Sequence, residues 1–554
     1  MVNFVKAPCD EGVIRAAPDK TPCAPNVGVW VLIATILGSS MAFIDGSVVN
    51  VALPVIQREL NATATDVQWI VEAYSLFLAA LILVGGSLGD HFGRRRIFAI
   101  GIAVFILASV WCGFSPNVLL LIIGRAVQGI GGALLVPGSL AIISASFSED
   151  QRGRAIGTWS GFSSITSLIG PVLGGVLVQY ASWRWVFFIN VPLAAVVLFV
   201  LFWRVPESRD ADAPRRLDWW GTLLVTIGLG ALVYGLIEAG SLGFGSSPVL
   251  IALATGIVAL IAFLLVEARS PAPMVPLSLF RSRTFSGTNL LTFLLYGALS
   301  GVTYFLPFNL IQVQGYSPTF AGAAFVPFVL LMFSLSRWTG GLVNRYGAKL
   351  PLVVGPVITA AGFVLFARPG ITSGASNYWT TFFPAVVVMG LGMTITVAPL
   401  TTAVMGAVEQ SHAGIASGIN NAVSRTAGLL AIAVFGIVFL SAFTGSLDGY
   451  LATLHLSPGL QHLIDAQNTK LAGITIPANV SGEVQAALKR AIDESFVSSF
   501  RLVSLLGAAL ALASALSAWL LVEGKKPERA GRTAQESPAR TVEADEQEPQ
   551  ISTN

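Results

Sequence analysis

Apolar blocks of about 20 residues recur along the whole chain between short charged or Pro/Gly-rich breaks, and this pattern limits the possible folds more than any other feature. A block of this length is what an α-helix needs to cross the hydrocarbon core of a bilayer. Of the 554 residues, 54% are hydrophobic and only 11% are charged, and the mean hydropathy is +0.75. The chain is therefore predicted to be an all-α polytopic membrane protein.

Hydrophobic runs divide the chain into fourteen predicted spans. The N-terminal segment 1–27 has no apolar signal-peptide core and no small-residue cleavage site, so the first span is expected to insert uncleaved. In chain order the spans are placed at 28–52, 67–88, 97–115, 118–146, 154–180, 184–203, 217–238, 248–267, 286–313, 318–341, 350–367, 378–408, 412–440 and 496–522.

The distribution of Lys and Arg supports this number independently. If the N-terminus is cytoplasmic, the cytoplasmic loops and both tails carry 22 of these residues, the outer loops carry six and the spans carry four. Positive residues concentrate on the cytoplasmic side of membrane proteins. The asymmetry places both termini in the cytoplasm and argues against thirteen or fifteen spans, which would put the positive clusters on opposite faces.

A weak internal repeat divides the spans into two halves. The segment GGLVNRYGAK at 340–349 resembles GSLGDHFGRR at 86–95, and GLGMTITVAPL at 390–400 resembles GIGGALLVPGSL at 129–140. Spans 7 and 8 have no counterpart, so they are interpreted as an insertion between two six-span halves around a central cavity. The predicted layout is a cytoplasmic tail at 1–27, a six-helix bundle at 28–203, two inserted helices with cytoplasmic linkers at 204–285, a second six-helix bundle at 286–522 with an outer loop at 441–495, and a disordered cytoplasmic tail at 523–554.

Between spans 2 and 3 the segment 85–98 reads GGSLGDHFGRRRIF. An acid, hinge glycines and three consecutive arginines at the inner end of an apolar helix indicate a cytoplasmic gate. Asp90 is expected to accept hydrogen bonds from a helix N-terminus or from Arg94, and so to hold the two halves together in one of two states of the molecule. The alternative is that the arginines only keep the loop inside. The predicted gating residues are Gly86, Gly89, Asp90, Gly93, Arg94 and Arg95.

This segment resembles the loop motif between spans 2 and 3 of the major facilitator superfamily. Further segments resemble the fourteen-span drug:proton antiporter branch of that family in order and spacing, and together the resemblance covers about residues 28–440. They are FIDGSVVNVALPVI at 43–56, GRAVQGIGGALLVPGSLAII at 124–143, GPVLGG at 170–175, WRWVFFINVP at 183–192 and LDWWGTLL at 217–224. The resemblance implies the major facilitator fold and transport by alternating access. Two departures are Thr166, where the family has a glycine, and Asn344, where the second-half loop motif has lost its acid.

Charged residues inside spans are costly to bury and usually mark function. Asp45 lies about 17 residues into span 1, roughly 25 Å from the inner face at 1.5 Å per residue, and Glu72 and Arg125 share its depth. We predict that Asp45, Glu72, Arg125 and Glu238 couple transport to protons, with Arg125 holding a carboxylate ionised until a proton or cation displaces it. The alternatives are a permanently hydrogen-bonded Asp45, a static ion pair at Arg125, and acids at 72 and 238 that reach outer water.

Small residues at four-residue spacing along span 5 allow close helix packing, and a proline there marks a bend. In the family that the chain resembles, such a segment is characteristic of exporters. The predicted antiporter motif is Gly170, Pro171, Gly174 and Gly175, and the alternative is ordinary helix packing. Aromatic and amide side chains are predicted to contact the substrate, although most of the aromatic ones could equally face lipid. These candidates are Phe43, Tyr74, Trp159, Tyr296, Tyr304, Phe308 and Asn420.

Motifs for other mechanisms are missing from the sequence. It contains no GxxxxGK[ST] segment, no His/Cys cluster with metal-ligand spacing and no nucleophile elbow, so neither an ATP-driven pump nor a membrane enzyme is indicated, and no cofactor or metal is expected. We predict a multidrug efflux proton antiporter of the cell inner membrane that exports amphipathic compounds, lipophilic cations among them. The alternatives are export of one endogenous metabolite or lipid, and a non-transporting sensor on the same fold. The expected partners are a small amphipathic substrate and the lipid bilayer, without nucleic acid. A periplasmic adaptor is left open, and a monomer is expected.

Overall fold

The computed structural model describes residues 25–209, 218–270, 273–372, 374–409, 413–454 and 456–524. Within these ranges the secondary structure consists of helices and turns without a strand. The prediction of an all-α chain is therefore confirmed. The predicted tails at 1–27 and 523–554 lie almost wholly outside the described residues.

Long helices, labelled α1 to α14, follow one another at the positions of the predicted spans. They are α1 Pro25–Glu59, α2 Ala64–Phe92, α3 Arg94–Phe114, α4 Val118–Ser146, α5 Glu149–Tyr180, α6 Trp185–Arg204, α7 Trp219–Leu242, α8 Ser247–Arg269, α9 Arg283–Phe308, α10 Val326–Tyr346, α11 Lys349–Phe366, α12 Phe382–Gly406, α13 Ala413–Leu454 and α14 Gly482–Leu521. A turn of π-helix, Asn309–Val313, continues α9, and a short helix, Pro318–Ala323, precedes α10.

In the described part of the chain, thirteen helices are long and apolar enough to cross a membrane. The remaining long helix, α5, has 32 residues, but its apolar stretch among the described residues, Ile169–Tyr180, is shorter than a membrane span requires. The chain is thus a multi-pass membrane protein, and the fourteenth span stays a prediction.

Local sequence explains where α2 begins and ends. The Thr63 hydroxyl accepts a hydrogen bond from the Asp66 N–H at 3.1 Å, and the Asp66 carboxylate accepts from the Thr63 N–H at 2.9 Å, which is a reciprocal capping box. The helix ends at Gly93, whose φ of +106° is a conformation that favours glycine. The chain therefore turns from α2 into α3 within one residue.

The helices pack as two groups with a pair between them. In the first group α2 packs on α4 and α1 on α5, and in the second α9 packs on α13 and α14 and α11 on α12. The inserted helices α7 and α8 pack on each other, and α7 also contacts α2 and α13 at the edge where the groups meet. The domain boundaries predicted from sequence remain predictions. One buried apolar cluster, from Val31 to Val205, belongs to the first six-helix group, and a larger one, from Ile44 to Val522, joins side chains of both groups.

The two ends of the bundle differ. We call the end that carries residues 85–98 the motif end and the other the opposite end. At the opposite end the halves are in contact, because α5 packs on the helix Pro318–Ala323 and Gln179 Oε1 accepts from the Thr319 N–H at 3.3 Å. A Cβ at Gly175 would overlap the carbonyl of Pro318, so the halves approach here as closely as a glycine permits.

The predicted outer loop 441–495 is largely helical. The helix α13 runs on to Leu454 and α14 begins at Gly482, so both extend well beyond the hydrophobic runs that marked their spans. Hydropathy detects only the apolar part of a helix, so it does not locate the polar ends of α13 and α14. Between them the helix Pro458–Asp465 and the turn Asn468–Gly473 reach across to the first half, where Lys470 Nζ donates to Asn61 Oδ1 at 2.7 Å.

Candidate functional site

Asp45 on α1 and Arg125 on α4 form a buried ion pair, with 0% and 1% of their side-chain surfaces exposed. Arg125 Nη1 donates to Asp45 Oδ2 and, at 2.7 Å, to Gln128 Oε1. The other carboxylate oxygen of Asp45 accepts from Gln128 Nε2 at 2.8 Å and from Asn190 Nδ2 at 3.3 Å. Both charges are therefore satisfied within one polar cluster that ties α1 to α4 and α6.

The guanidinium of Arg125 is enclosed as well as paired. Its Nε donates to the Ile70 carbonyl at 3.1 Å, and its carbon lies 4.3 Å from the centre of the Tyr74 ring, within cation–π range. Ser109 on α3 accepts from Gln128 at 2.8 Å and from Asn190 at 3.2 Å. Sequence reasoning missed Gln128, Asn190 and Ser109. A polar residue one turn from a buried arginine on an apolar helix was the available signal for Gln128.

Glu72 on α2 is buried in a different way. Its side chain is fully buried, and neither carboxylate oxygen has a hydrogen-bond partner among the described residues. Tyr304 of α9, in the other half, is the neighbour close enough to interact with its charge. An ionised carboxylate is costly to bury without a partner, whereas the neutral acid is buried at much lower cost. Glu72 is therefore a buried acid to which the described residues donate no hydrogen bond.

Glu238 lies apart from the Asp45–Arg125 pair. It is near the end of α7, where its Oε1 accepts from the Trp69 indole N–H at 3.2 Å and its Oε2 accepts from the Ser241 hydroxyl at 3.1 Å. The bond from Trp69 attaches the inserted pair to α2, whereas the bond from Ser241 lies within α7. The structure thus brings together Asp45 and Arg125 of the four predicted coupling residues, and places Glu72 and Glu238 at separate positions.

The motif-end loop is held by its own side chains and by Glu207, which follows α6. Arg94 Nε donates to Asp90 Oδ1 at 2.8 Å, and the Arg95 N–H donates to Glu207 Oε1 at 2.9 Å. A Cβ at Gly93 would lie 2.8 Å from the Glu207 carboxyl carbon, so that acid packs directly against the turn. Sequence reasoning missed Glu207. The predicted contact of Asp90 with a helix N-terminus stays a prediction.

The predicted antiporter motif lies at helix crossings. Gly170 and Gly174 face Ser47 and Val48 of α1, where a Cβ on either glycine would clash, and Gly175 faces the chain just before α10. The helix continues through Pro171, whose carbonyl meets Gly322 of the other half in the same close manner. The segment therefore joins the halves at the opposite end.

A cavity of about 570 Å³ lies between the halves. Its lining includes Val404 and Ser417, near the motif-end limits of α12 and α13, so the cavity extends towards that end. Five of the predicted substrate-contact residues line it, and these are Phe43, Tyr74, Tyr296, Tyr304 and Asn420.

The other two substrate candidates do not line this cavity. Trp159 packs edge-on against Phe43, with ring centroids 6.3 Å apart, and donates to the Ser39 hydroxyl at 2.8 Å. Phe308 lines a second, much smaller cavity of about 20 Å³. Trp159 therefore supports the wall of the central cavity from behind, and Phe308 belongs to the packing near the opposite end. In the described ranges no group of three or more His, Cys, Asp or Glu side chains is placed to hold a metal ion.

Comparison with known proteins identifies a family. The profile of the Major Facilitator Superfamily matches residues 35–432. The multidrug resistance protein Stp of Mycobacterium tuberculosis is 34% identical over 500 residues, which cover 88% of this chain and 91% of Stp. The tetracenomycin C resistance and export protein of Streptomyces glaucescens is 32% identical over 505 residues, covering 90% of this chain and 92% of that protein.

Solved structures share the architecture. A bacterial homologue of the human lysosomal transporter Spinster, in an inward-facing and unoccupied conformation, superposes with a TM-score of 0.61 at 17% identity, covering 91% of this chain and all of that one. At this identity the similarity concerns the fold alone. The predicted major facilitator fold is confirmed.

Proposed function

Because the chain belongs to the Major Facilitator Superfamily, and is thus a membrane transporter rather than an enzyme, we propose that it exports amphipathic drugs or toxic compounds in exchange for protons. One relative is described by multidrug resistance and another by resistance to and export of tetracenomycin C. We place the protein in the cytoplasmic membrane, as a monomer with both termini in the cytoplasm. On this orientation the motif end is cytoplasmic and the structure is open towards the cytoplasm. The proton gradient is the energy source and no cofactor is required.

The observation that carries the proposal is the burial of Glu72, without a hydrogen-bond partner among the described residues, beneath the closed opposite end. Glu72 is eight residues from the start of α2, about 12 Å at the helical rise of 1.5 Å per residue. Its carboxyl group is sealed from water while the halves touch above it. When the opposite end opens, the same group becomes accessible to outer water and can exchange its proton there. Proton binding and release at Glu72 thus depend on which end is open, as antiport requires.

The Asp45–Arg125 pair has a different part in the proposed cycle. A proton on Asp45 would remove the counter-charge of a buried guanidinium, and this is costly because the cation stays out of water. The pair therefore resists protonation as long as its cluster is intact. We propose that binding of cargo or movement of a helix must first break hydrogen bonds of this cluster. Protonation of Asp45 would then depend on the state of the cavity beside the pair.

The proposal is tested with purified protein in proteoliposomes. A compound is first chosen from the resistance profile that the protein confers on cells lacking other pumps. Its accumulation is then followed under an imposed pH gradient and after nigericin collapses that gradient. We expect accumulation with the gradient and equilibration without it. Accumulation that is unchanged by nigericin in potassium-containing buffer would contradict proton exchange.

A further inference from the structure

The central cavity carries a positive charge that its described lining does not neutralise. Arg425 on α13 lines the cavity, and its Nε donates to Asn421 Oδ1 at 3.0 Å. None of the described residues that line the cavity is acidic. The terminal nitrogens of the guanidinium make no hydrogen bond or ion pair with any other residue in the described ranges. The two terminal nitrogens of Arg425 therefore remain to donate hydrogen bonds to a ligand.

Asp45 does not supply the missing counter-charge. It is completely buried, and its carboxylate oxygens accept from Arg125, Gln128 and Asn190. Its charge is thus balanced by Arg125 within the same cluster. Together the two residues add no net charge to the cavity wall, and Arg425 is left as its uncompensated cation.

Depth argues against a merely structural arginine. Arg425 lies twelve residues into α13, which is about 18 Å from the motif end of that helix at 1.5 Å per residue. A guanidinium at that depth cannot reach the end of the helix with its own side chain, and inside a membrane an arginine without a counter-charge is costly and usually functional. The cost is recovered when an anion binds, because Arg pairs strongly with planar oxyanions.

The groups around Arg425 define the rest of the ligand. Aromatic rings of Phe43, Tyr74, Tyr296 and Tyr304 line the same cavity, and they suit a flat apolar body. We infer that the cavity selects amphipathic organic anions, with an aromatic body against these rings and a carboxylate or similar oxyanion on Arg425. This inference rests on the proposed function and names its substrate class. It argues against lipophilic cations, for which the described lining offers no counter-charge.

Charge selectivity is the measurement that tests this inference. Cells without other pumps are challenged with drugs grouped by charge at pH 7, and export is compared between the wild type, Arg425→Gln and Arg425→Lys. We expect anions to dominate the exported set. Arg425→Gln should lower their export about tenfold or more, since a hydrogen bond to a charged group is lost, and neutral compounds should change less than threefold. Export of anions by Arg425→Lys should lie between that of the wild type and that of Arg425→Gln.

A stability measurement separates binding from folding. Removing a cation that has no ion-pair partner among the described residues should leave the Tm of Arg425→Gln in detergent unchanged or raise it. The matched control is Arg501→Gln on α14, because Arg501 Nε donates to the Ala367 carbonyl at 2.9 Å and lies outside the cavity lining. That variant should lose stability and keep the charge preference. A Tm of Arg425→Gln that falls as far as that of the control would assign Arg425 a structural role and overturn the inference.

Other outcomes have distinct meanings. An exported set without anions, or an equal loss of anions and neutral compounds in Arg425→Gln, overturns the anion site while the exporter stands. A wild type that exports none of the panel, although it is present in the membrane, contradicts the proposed function itself and the inference with it.

Discussion

Replacing Glu72 by glutamine should uncouple transport from protons without unfolding the protein. Glutamine has the size of the protonated acid but cannot exchange a proton. Since both oxygens of Glu72 lack a hydrogen-bond partner among the described residues, the substitution removes no bond that the structure shows. The free energy of unfolding should therefore change by less than about 1 kcal/mol, the typical net value of one hydrogen bond.

The size of the functional effect follows from the proton's free energy. One pH unit is worth about 1.4 kcal/mol per proton, which sustains a roughly tenfold substrate ratio. In proteoliposomes with a gradient of one pH unit and no membrane potential, the wild type should approach that ratio for each exchanged proton. Glu72→Gln should bring the ratio to about one, whereas exchange of labelled for unlabelled substrate should continue.

A matched control excludes a general effect of losing an acid. Glu494 on α14 is about one-third exposed and lies 3.9 Å from Arg490, so Glu494→Gln changes a surface charge alone. It should keep both the ratio and the Tm. Pumping by Glu72→Gln against the same gradient at the wild-type ratio would refute the assignment of Glu72 as a coupling acid.

Other substitutions test the remaining elements of the site. Asp45→Asn leaves Arg125 without a counter-charge and should lower the free energy of unfolding by about 3–5 kcal/mol, which a lower Tm in detergent would show. An unchanged Tm would show that the pair is not buried as described. Gly175→Leu should abolish resistance in cells because the opposite end can no longer close, and Gly157→Ala on the same helix, where the added Cβ has open space, should keep it. Glu207→Gln weakens the hydrogen bond that holds the motif-end turn and should lower the free energy of unfolding by about 1–3 kcal/mol in thermal melts. A Tm equal to that of the wild type would contradict this role of Glu207.

Sequence reasoning located the helices and the intramembrane charges because both depend on local composition. The approximate positions of the long helices follow from hydrophobic length, and the depth of Asp45 and Arg125 follows from counting residues along their helices. What it could not give was the rotation of each helix about its axis. That rotation decides that Gln128 and Asn190 face Asp45 while Glu72 faces Tyr304 instead.

Arg425 shows the same limit in the second half. Its position within an apolar run is visible in the sequence, but which side chains surround it is a property of several helices together. That the described lining contains no acid becomes apparent only when α1, α2, α4, α9, α12 and α13 are assembled around the cavity. A charge inside a span can be predicted from sequence, whereas its pairing needs the tertiary structure.

An anionic cargo also changes the energetics of coupling. Exchange of one proton for a monovalent cation is electroneutral, so it draws on the pH difference alone, about 1.4 kcal/mol per unit. Exchange of one inward proton for one outward monoanion is equivalent to moving two positive charges inward. At 100 mV and one pH unit this exchange gains about 6 kcal/mol, which sustains a substrate concentration ratio of roughly 10⁴. One coupling acid then suffices, in agreement with Glu72 as a single candidate.

A potassium diffusion potential at equal pH on both sides should therefore drive accumulation of the anionic cargo. If the imposed potential has no effect on a cargo that the pH gradient does drive, exchange of one proton for one anion is excluded.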